Sequence, residues 1–426
     1  MSLLKSNELI QGLCIAAIPC STLFSLKSKV IALALVRIIF VLPINMDPMP
    51  ELLPRKLDTS KRILFGVTDS VTLKFLMKGQ LEWLAGRGYE IFTASNGDFE
   101  SPLLKNLQTQ HIRIDMTRSR KFFSELHAFK EWASAFKTVR PDIVVLSTPK
   151  ASLFGLITAC ALRVPKRVYL VRGLRYETEK GLFKTVLKFC EWACLVSATN
   201  IITVSMSVER EVKKFPLIRS SKIETFGLGS SNGVDSTRFQ PAGNQEKKNA
   251  KRALGLDADD IVVGYVGRIS FDKGVECLNE LSEMKGLSEN RIQVIAIGSF
   301  DDKVVLSPMV KHFDSVDEPE LLFPAIDILI LPTRREGFPN VVLEAASCGI
   351  PAVVTDATGA RDAVCDSITG FIVARGDVSS MYFHIRELAR NPRLRCEMGE
   401  AARVWVVKNF QPERLWIAYD EVFKRP

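Results

Sequence analysis

The feature that most constrains this chain is an alternation, from Arg62 onward, of short apolar runs with helix-length segments. Ile63 to Thr68, Tyr89 to Ser95, His111 to Met116, Asp142 to Thr148, Arg167 to Arg172 and Ile201 to Ser205 are each rich in Ile, Val, Leu or Tyr. Runs with no polar alternation suit parallel strands covered on both faces. Strands separated by helices then predict a doubly wound α/β domain. Gln240 to Arg252 is polar, charged and broken by Pro241 and Gly243, and reads as a linker. The alternation restarts with Ile261 to Val266, Ile292 to Ile297, Ile326 to Leu331 and Pro351 to Thr355, so a second α/β domain is expected.

At 426 residues the chain fits two such domains plus appendages. The expected division is an apolar extension at 1–57, a first domain at 58–240, a linker at 241–254, a second domain at 255–409 and a closing helix at 410–426. Trp416, Tyr419 and Phe423 are spaced to share one face of that helix. Two open α/β sheets in tandem leave a cleft at the carboxyl ends of their strands, where ligands of such sheets bind.

Two segments of the second domain carry chemistry. In G-Y-V-G-R-I-S-F-D-K-G, Gly267 ends a strand and lets the backbone turn tightly, and Arg268 and Lys273 follow it, just ahead of a helix beginning near Gly274. Two cations beside a helix amino terminus can clamp a diphosphate. Alone, such residues are more often solvated charges of a βα loop. The second segment runs from a strand through Pro332-Thr333-Arg334-Arg335 into E-G-F-P-N-V-V-L-E, Glu336 to Glu344. Glu336 is expected in the loop, a helix is expected to start at Pro339 or Asn340, and Glu344 should lie about one turn inside it. Free helix amides can bind phosphate oxygens, and the two carboxylates can accept hydrogen bonds from hydroxyls. A nucleotide sugar supplies both kinds of group.

E-G-F-P-N-V-V-L-E, followed by A-x-x-C-G-I-P-A-V-V-T-D and preceded by G-R-x-x-x-x-K-G, resembles the large family of retaining glycosyltransferases with the GT-B fold, two Rossmann-like domains facing across a cleft. Leu73 to Glu90 and V-R-G-L-R-Y-E-T (Val171 to Thr178) are most similar to members that build capsule and other cell-surface polysaccharides. Asn232-Gly233-Val234-Asp235, with Arg238, Phe239 and Pro241, resembles that family's interdomain passage. The likeness runs from about Arg62 to the end. It implies that Arg268 and Lys273 hold the donor diphosphate, Glu336 binds donor-sugar hydroxyls and Glu344 binds the ribose, with Gly337, Phe338, Pro339 and Asn340 placing backbone amides near sugar and phosphate. It also implies front-face attack, in which the leaving phosphate takes the acceptor's proton, and no metal or other cofactor. Many members carry a histidine where this chain has Arg172, and none of His111, His127, His312 and His384 falls in a motif, so no histidine base is expected. Arg172 is instead a candidate for the acceptor or phosphate side.

Charge bears on the partners. Residues 1–259 carry 38 Lys/Arg against 23 Asp/Glu, net +15; the remainder carries 19 against 25, net −6. A basic first half suits an anionic membrane surface and a lipid-linked glycan acceptor. Arg118, Arg120 and Lys121 lead into Phe122 and Phe123, and Arg163, Lys166 and Arg167 cluster before a strand. No nucleic-acid module is present and the basic residues follow no helix stripe, which argues against nucleic acid. Val30 to Leu42 as a helix would span about 20 Å, short of a bilayer core. Peripheral association with the cytosolic face of the membrane is therefore expected. The nine cysteines form no C-x-x-C pair, and with no histidine in register they predict no zinc site. Asp257-Ala258-Asp259 and the acids Asp301 and Asp302 read as solvated turns.

Two other functions share these features. A nucleotide-sugar epimerase of the same architecture would need catalytic histidine and acid groups in the cleft. A non-catalytic sugar-nucleotide-binding protein would tolerate loss of Glu336, Glu344, Arg268 or Lys273, all of which are present. A dinucleotide site is disfavoured because Gly227-Leu228-Gly229 continues as Ser-Ser-Asn.

Overall fold

The computed structural model describes residues 60–97, 109–116, 127–301, 304–314, 316 and 318–426. These all fall within one unit, Asp47–Pro426. The extension at 1–57, the basic-aromatic stretch Arg118 to Phe123, and Asp302 lie outside the described residues.

The first sheet contains β1 (Arg62–Asp69), β2 (Glu90–Asn96), β3 (Gln110–Arg113), β4 (Ile143–Ser147), β5 (Lys166–Val171), β6 (Asn200–Thr203) and β7 (Ile223–Thr225), in the order β3-β2-β1-β4-β5-β6-β7. The second contains β8 (Ile261–Val266), β9 (Ile292–Ile297), β10 (Lys311–Phe313), β11 (Ile328–Leu331), β12 (Ala352–Thr355) and β13 (Gly370–Val373), in the order β10-β9-β8-β11-β12-β13. Every strand pairing within these sheets is parallel; Ile63, for example, pairs with Ile91 on one side and Ile143 on the other. The apolar runs fill strand interiors: β4 is buried along its whole length and β1 at all but its ends. In each sheet the strand order reverses once, between β1 and β4 and between β8 and β11, and each reversal opens a crevice at the carboxyl ends.

Three strands escape the sequence reading. β7 and β10 have three residues each and β13 has four, and their neighbours give no strong apolar signal. Residues 244–253, within the segment read as a linker, form a helix. Its sequence is polar all round, so periodicity gives no sign of it. It is tied down instead by Lys251, whose ammonium is buried against Asp327 at 2.7 Å and the Asp260 carbonyl at 2.7 Å.

The closing helix runs Pro412–Lys424 and packs on the first sheet, not on the second domain that precedes it. Trp416 packs on Trp83 at 6.1 Å with the rings tilted, Tyr419 meets Phe226 edge-on at 4.9 Å, and Phe423 meets Phe65 at 6.5 Å. Tyr89 donates to Asp420 at 2.8 Å, and the Lys166 ammonium donates to the Val422 carbonyl at 2.8 Å. The chain thus crosses between the sheets twice, and the crossings touch: the Val234 amide donates to the Phe410 carbonyl at 2.9 Å.

Candidate active site

The site forms where the loops after β8 and β11 meet, at the reversal of the second sheet. After Gly267 the β8 loop carries Arg268, then a 3-10 turn, Phe271–Lys273, and Gly274 at φ +82° ahead of helix Val275–Ser282. A Cβ on Gly274 would lie 1.9 Å from the Pro332 carbonyl oxygen, so only glycine lets this loop pass the end of β11. The β11 loop carries Glu336 and enters helix Asn340–Ser347 with Pro339 at its amino cap, as the spacing predicts.

The two loops are joined by charge. The Lys273 ammonium donates to the Glu336 carboxylate. The Glu336 amide is held by the Thr358 carbonyl at 2.8 Å. Arg268 reaches Asp272 at 3.5 Å and Asp301 at 3.4 Å and stays 43% exposed, so it is free to reorient. Burial would raise the Asp272 carboxyl, but the Ser270 hydroxyl at 2.6 Å and the charges of Arg335, Arg268 and Lys273 outweigh it and hold the group below the ordinary carboxylate range. Asp272 is a fixed anion that orders the cations around it.

A cavity of about 300 Å³ opens between the sheets. It brings together Gly267, Arg268, Lys273, Glu336, Gly337, Phe338, Pro339 and Asn340 from the second sheet's loops with Arg172 from the loop after β5. Leu76, Val204 and Ser231 complete its wall on the side of the first sheet. Phe338 also packs its ring on Phe410 at 5.5 Å and is largely buried, so it holds the loop as well as lining the cavity. Glu344 is not among the lining residues. Burial pushes its carboxyl up to about 7, opposed by the charge of Arg238 and reinforced by Glu320, which pair bidentately with each other at 2.5 and 2.6 Å. No histidine lines the cavity.

Contacts that the sequence did not signal close the two sheets on each other. A Cβ on Gly337 would stand 2.0 Å from the Arg172 carbonyl oxygen. The Thr358 hydroxyl donates to Glu177 at 2.8 Å, and Arg335 donates to Thr178 at 3.1 Å. The Ser207 amide and hydroxyl both donate to Asp362, and the Gly359 amide donates to the Ser207 hydroxyl at 2.7 Å. Glu177 and Thr178 fall in V-R-G-L-R-Y-E-T, whose likeness carried no role for them; Ser207 and Asp362 lie in no motif.

Asp257 pairs with Arg291 at 3.2 Å and Asp259 with Lys248 at 2.9 Å, which confirms a surface turn. Among the described residues no cluster of His, Cys, Asp and Glu is placed to hold a metal ion. Among them, too, no helix is long and apolar enough to cross a membrane.

The family model for glycosyl transferases group 1 matches residues 246–405, the span that contains both charged loops. CapM, a capsular polysaccharide biosynthesis glycosyltransferase of Staphylococcus aureus, is 32% identical over 374 residues, 85% of this chain and 97% of that protein. The chain belongs to the group 1 glycosyltransferases. Its architecture is the GT-B fold: the structure of Anabaena HepE in complex with UDP and glucose aligns with a TM-score of 0.69, at 17% identity, over 85% of this chain and 99% of that one. A further relative, the N,N'-diacetylbacillosaminyl-diphospho-undecaprenol alpha-1,3-N-acetylgalactosaminyltransferase of Campylobacter jejuni, is 23% identical over 81% of this chain and 93% of its own length. The chain is therefore a transferase, and its fold class, two Rossmann-like α/β domains, is the one expected.

Proposed function

We propose that this glycosyltransferase moves a sugar, with retention, from a nucleotide-sugar donor to a lipid-linked glycan acceptor in the synthesis of a capsular or other surface polysaccharide. The observation that carries the reading is the Lys273–Glu336 pair, formed by loops from the two strands that flank the reversal of the second sheet. Departure of a nucleoside diphosphate develops negative charge; Lys273, held by Glu336, can meet it without reorganising, and exposed Arg268 can turn toward it. Glu336 is only 11% exposed and faces the same cavity, so sugar hydroxyls reaching it would donate to a carboxylate in a dry setting. The leaving phosphate would take the acceptor's proton, and no cofactor is required.

Support for the acceptor and the setting comes from the relatives, whose names specify capsular polysaccharide synthesis and a diphospho-undecaprenol substrate. A basic first half of net +15 suits an anionic membrane face and supports a peripheral position on its cytoplasmic side. The test is a thermal-shift screen of UDP-, GDP- and other activated sugars. Stabilisation follows ligand concentration over affinity, so one true donor should stand apart. If no nucleotide or nucleotide sugar moves the melting temperature, the reading is wrong.

A further inference from the structure

Arg172 stands out among the charged groups of the cavity. The other three have counter-charges: Lys273 and Glu336 satisfy each other, and Arg268 has Asp272 and Asp301. Arg172 has none. Its Nε and both terminal nitrogens are buried, and none has a hydrogen-bond partner. A guanidinium offers five donors and stays charged at neutral pH, so leaving it buried and unpaired is among the more unfavourable arrangements a fold can hold. Burial pushes its ionisation down only to about 10, opposed by the nearby Tyr419 phenol, so it remains a cation. Arg172 lines the cavity, and its guanidinium is a cation with no anion beside it.

We infer that Arg172 forms a second oxyanion subsite of the cavity, contributed by the first sheet and separate from the Arg268–Lys273 clamp, which receives a phosphate or carboxylate group of the acceptor. The assignment rests on the proposed donor reading. Both clamp residues come from a loop of the second sheet, whereas Arg172 follows β5 of the first. The loop that carries it is locked, since its carbonyl abuts Gly337 too closely to admit a Cβ. The side chain therefore projects from a fixed backbone, and a planar fork on a fixed base can hold an oxyanion bidentately. Arg172 is thus a binding residue for the acceptor, in place of the histidine that many relatives of this likeness carry.

The experiment uses the full chain and its Arg172→Met and Arg172→Lys variants. Each is saturated with whichever of UDP, GDP or ADP stabilises the wild type most, then titrated with inorganic phosphate or acetate against sodium chloride at matched ionic strength. The expected wild-type result is stabilisation by phosphate or acetate beyond that of chloride. In Arg172→Met the apparent affinity for that anion should fall by at least about tenfold, with the affinity for the nucleotide unchanged. Arg172→Lys should recover part of the response. A response to phosphate alone assigns a phosphate-bearing acceptor; one to acetate as well assigns a carboxylate. Because a buried, unpaired charge is removed, Arg172→Met should melt no lower than the wild type. A purely structural arginine would give the reverse, a lower melting temperature with the anion response retained, and would overturn the inference. So would loss of nucleotide affinity in Arg172→Met, which would move Arg172 into the donor clamp, or the absence of any anion response in the wild type. Failure of every nucleotide to bind is a different result: it removes the donor reading and this inference with it.

Discussion

The α-carbon of Gly337 faces the backbone carbonyl of Arg172 so closely that an added Cβ would stand 2.0 Å from its oxygen. The acidic loop of the second sheet is thereby seated on the loop after β5, with no space for a methyl group. Gly359 presses on the same point from the other side, since a Cβ there would lie 2.2 Å from the Gly337 carbonyl oxygen. The position of Glu336, one residue away, depends on both contacts.

Gly337→Ala should therefore displace Glu336 while leaving both sheets folded. A displacement of about 1 Å at a reacting centre can lower turnover by about 100-fold, and a loss of that order in kcat/KM is expected, with a far smaller change in melting temperature. Wild-type kinetics in Gly337→Ala would show that the loop is not held by this contact.

A second prediction concerns stability and pH. Burial pushes Glu191 up to about 7, although the hydroxyl of Tyr169, donating at 2.8 Å, pulls it back. Below pH 4.5, its ordinary value, the carboxyl is neutral in both the folded and the unfolded chain and carries no penalty. As pH rises toward 7 the unfolded chain ionises first, so the folded state loses stability across that window. Glu191→Gln keeps an acceptor for Tyr169 and cannot ionise. Denaturant titrations should show the variant gaining on the wild type between pH 5 and pH 8 by about 2 kcal/mol. A difference that stays constant with pH would contradict the burial of this carboxyl.

Glu344 makes a related prediction about binding. If ribose hydroxyls donate to it, the ionised form is the competent one, and its value of about 7 means that it ionises near neutrality. Donor affinity should then rise as pH increases through 7, and the rise should be absent in Glu344→Gln. Above pH 8 the variant should bind about tenfold more weakly, the scale of a hydrogen bond to a charged group. Calorimetric titration at three pH values decides the matter; parallel profiles would remove Glu344 from the donor site.

Much of this arrangement was legible in the residues themselves. β8 and β9 run over the residues their apolar sequences predict, because strands covered on both faces read as near-continuous apolar runs, broken in β9 by Gln293 alone. Helix Asn340–Ser347 also begins where Pro339 indicates. The helix at 244–253 was not legible, since its buried anchor is a lysine whose partners Asp327 and Asp260 lie outside the helix. Nor were the contacts between the sheets. Ser207 and Asp362 are 155 residues apart, and each is an ordinary polar residue until the fold brings them together. Arg172 was visible only as a replacement for a histidine; that its nitrogens are buried without partners is a property of the folded chain.

The most direct test of the whole account is transfer of labelled sugar from the donor found by screening to a bacterial lipid extract, measured for the wild type, Lys273→Ala and Glu336→Ala. Each variant removes one half of the pair that joins the β8 and β11 loops. The account predicts labelled lipid with the wild type, and transfer reduced to about one hundredth or less in both variants, with each still folded by circular dichroism. Transfer that survives in both folded variants would contradict it.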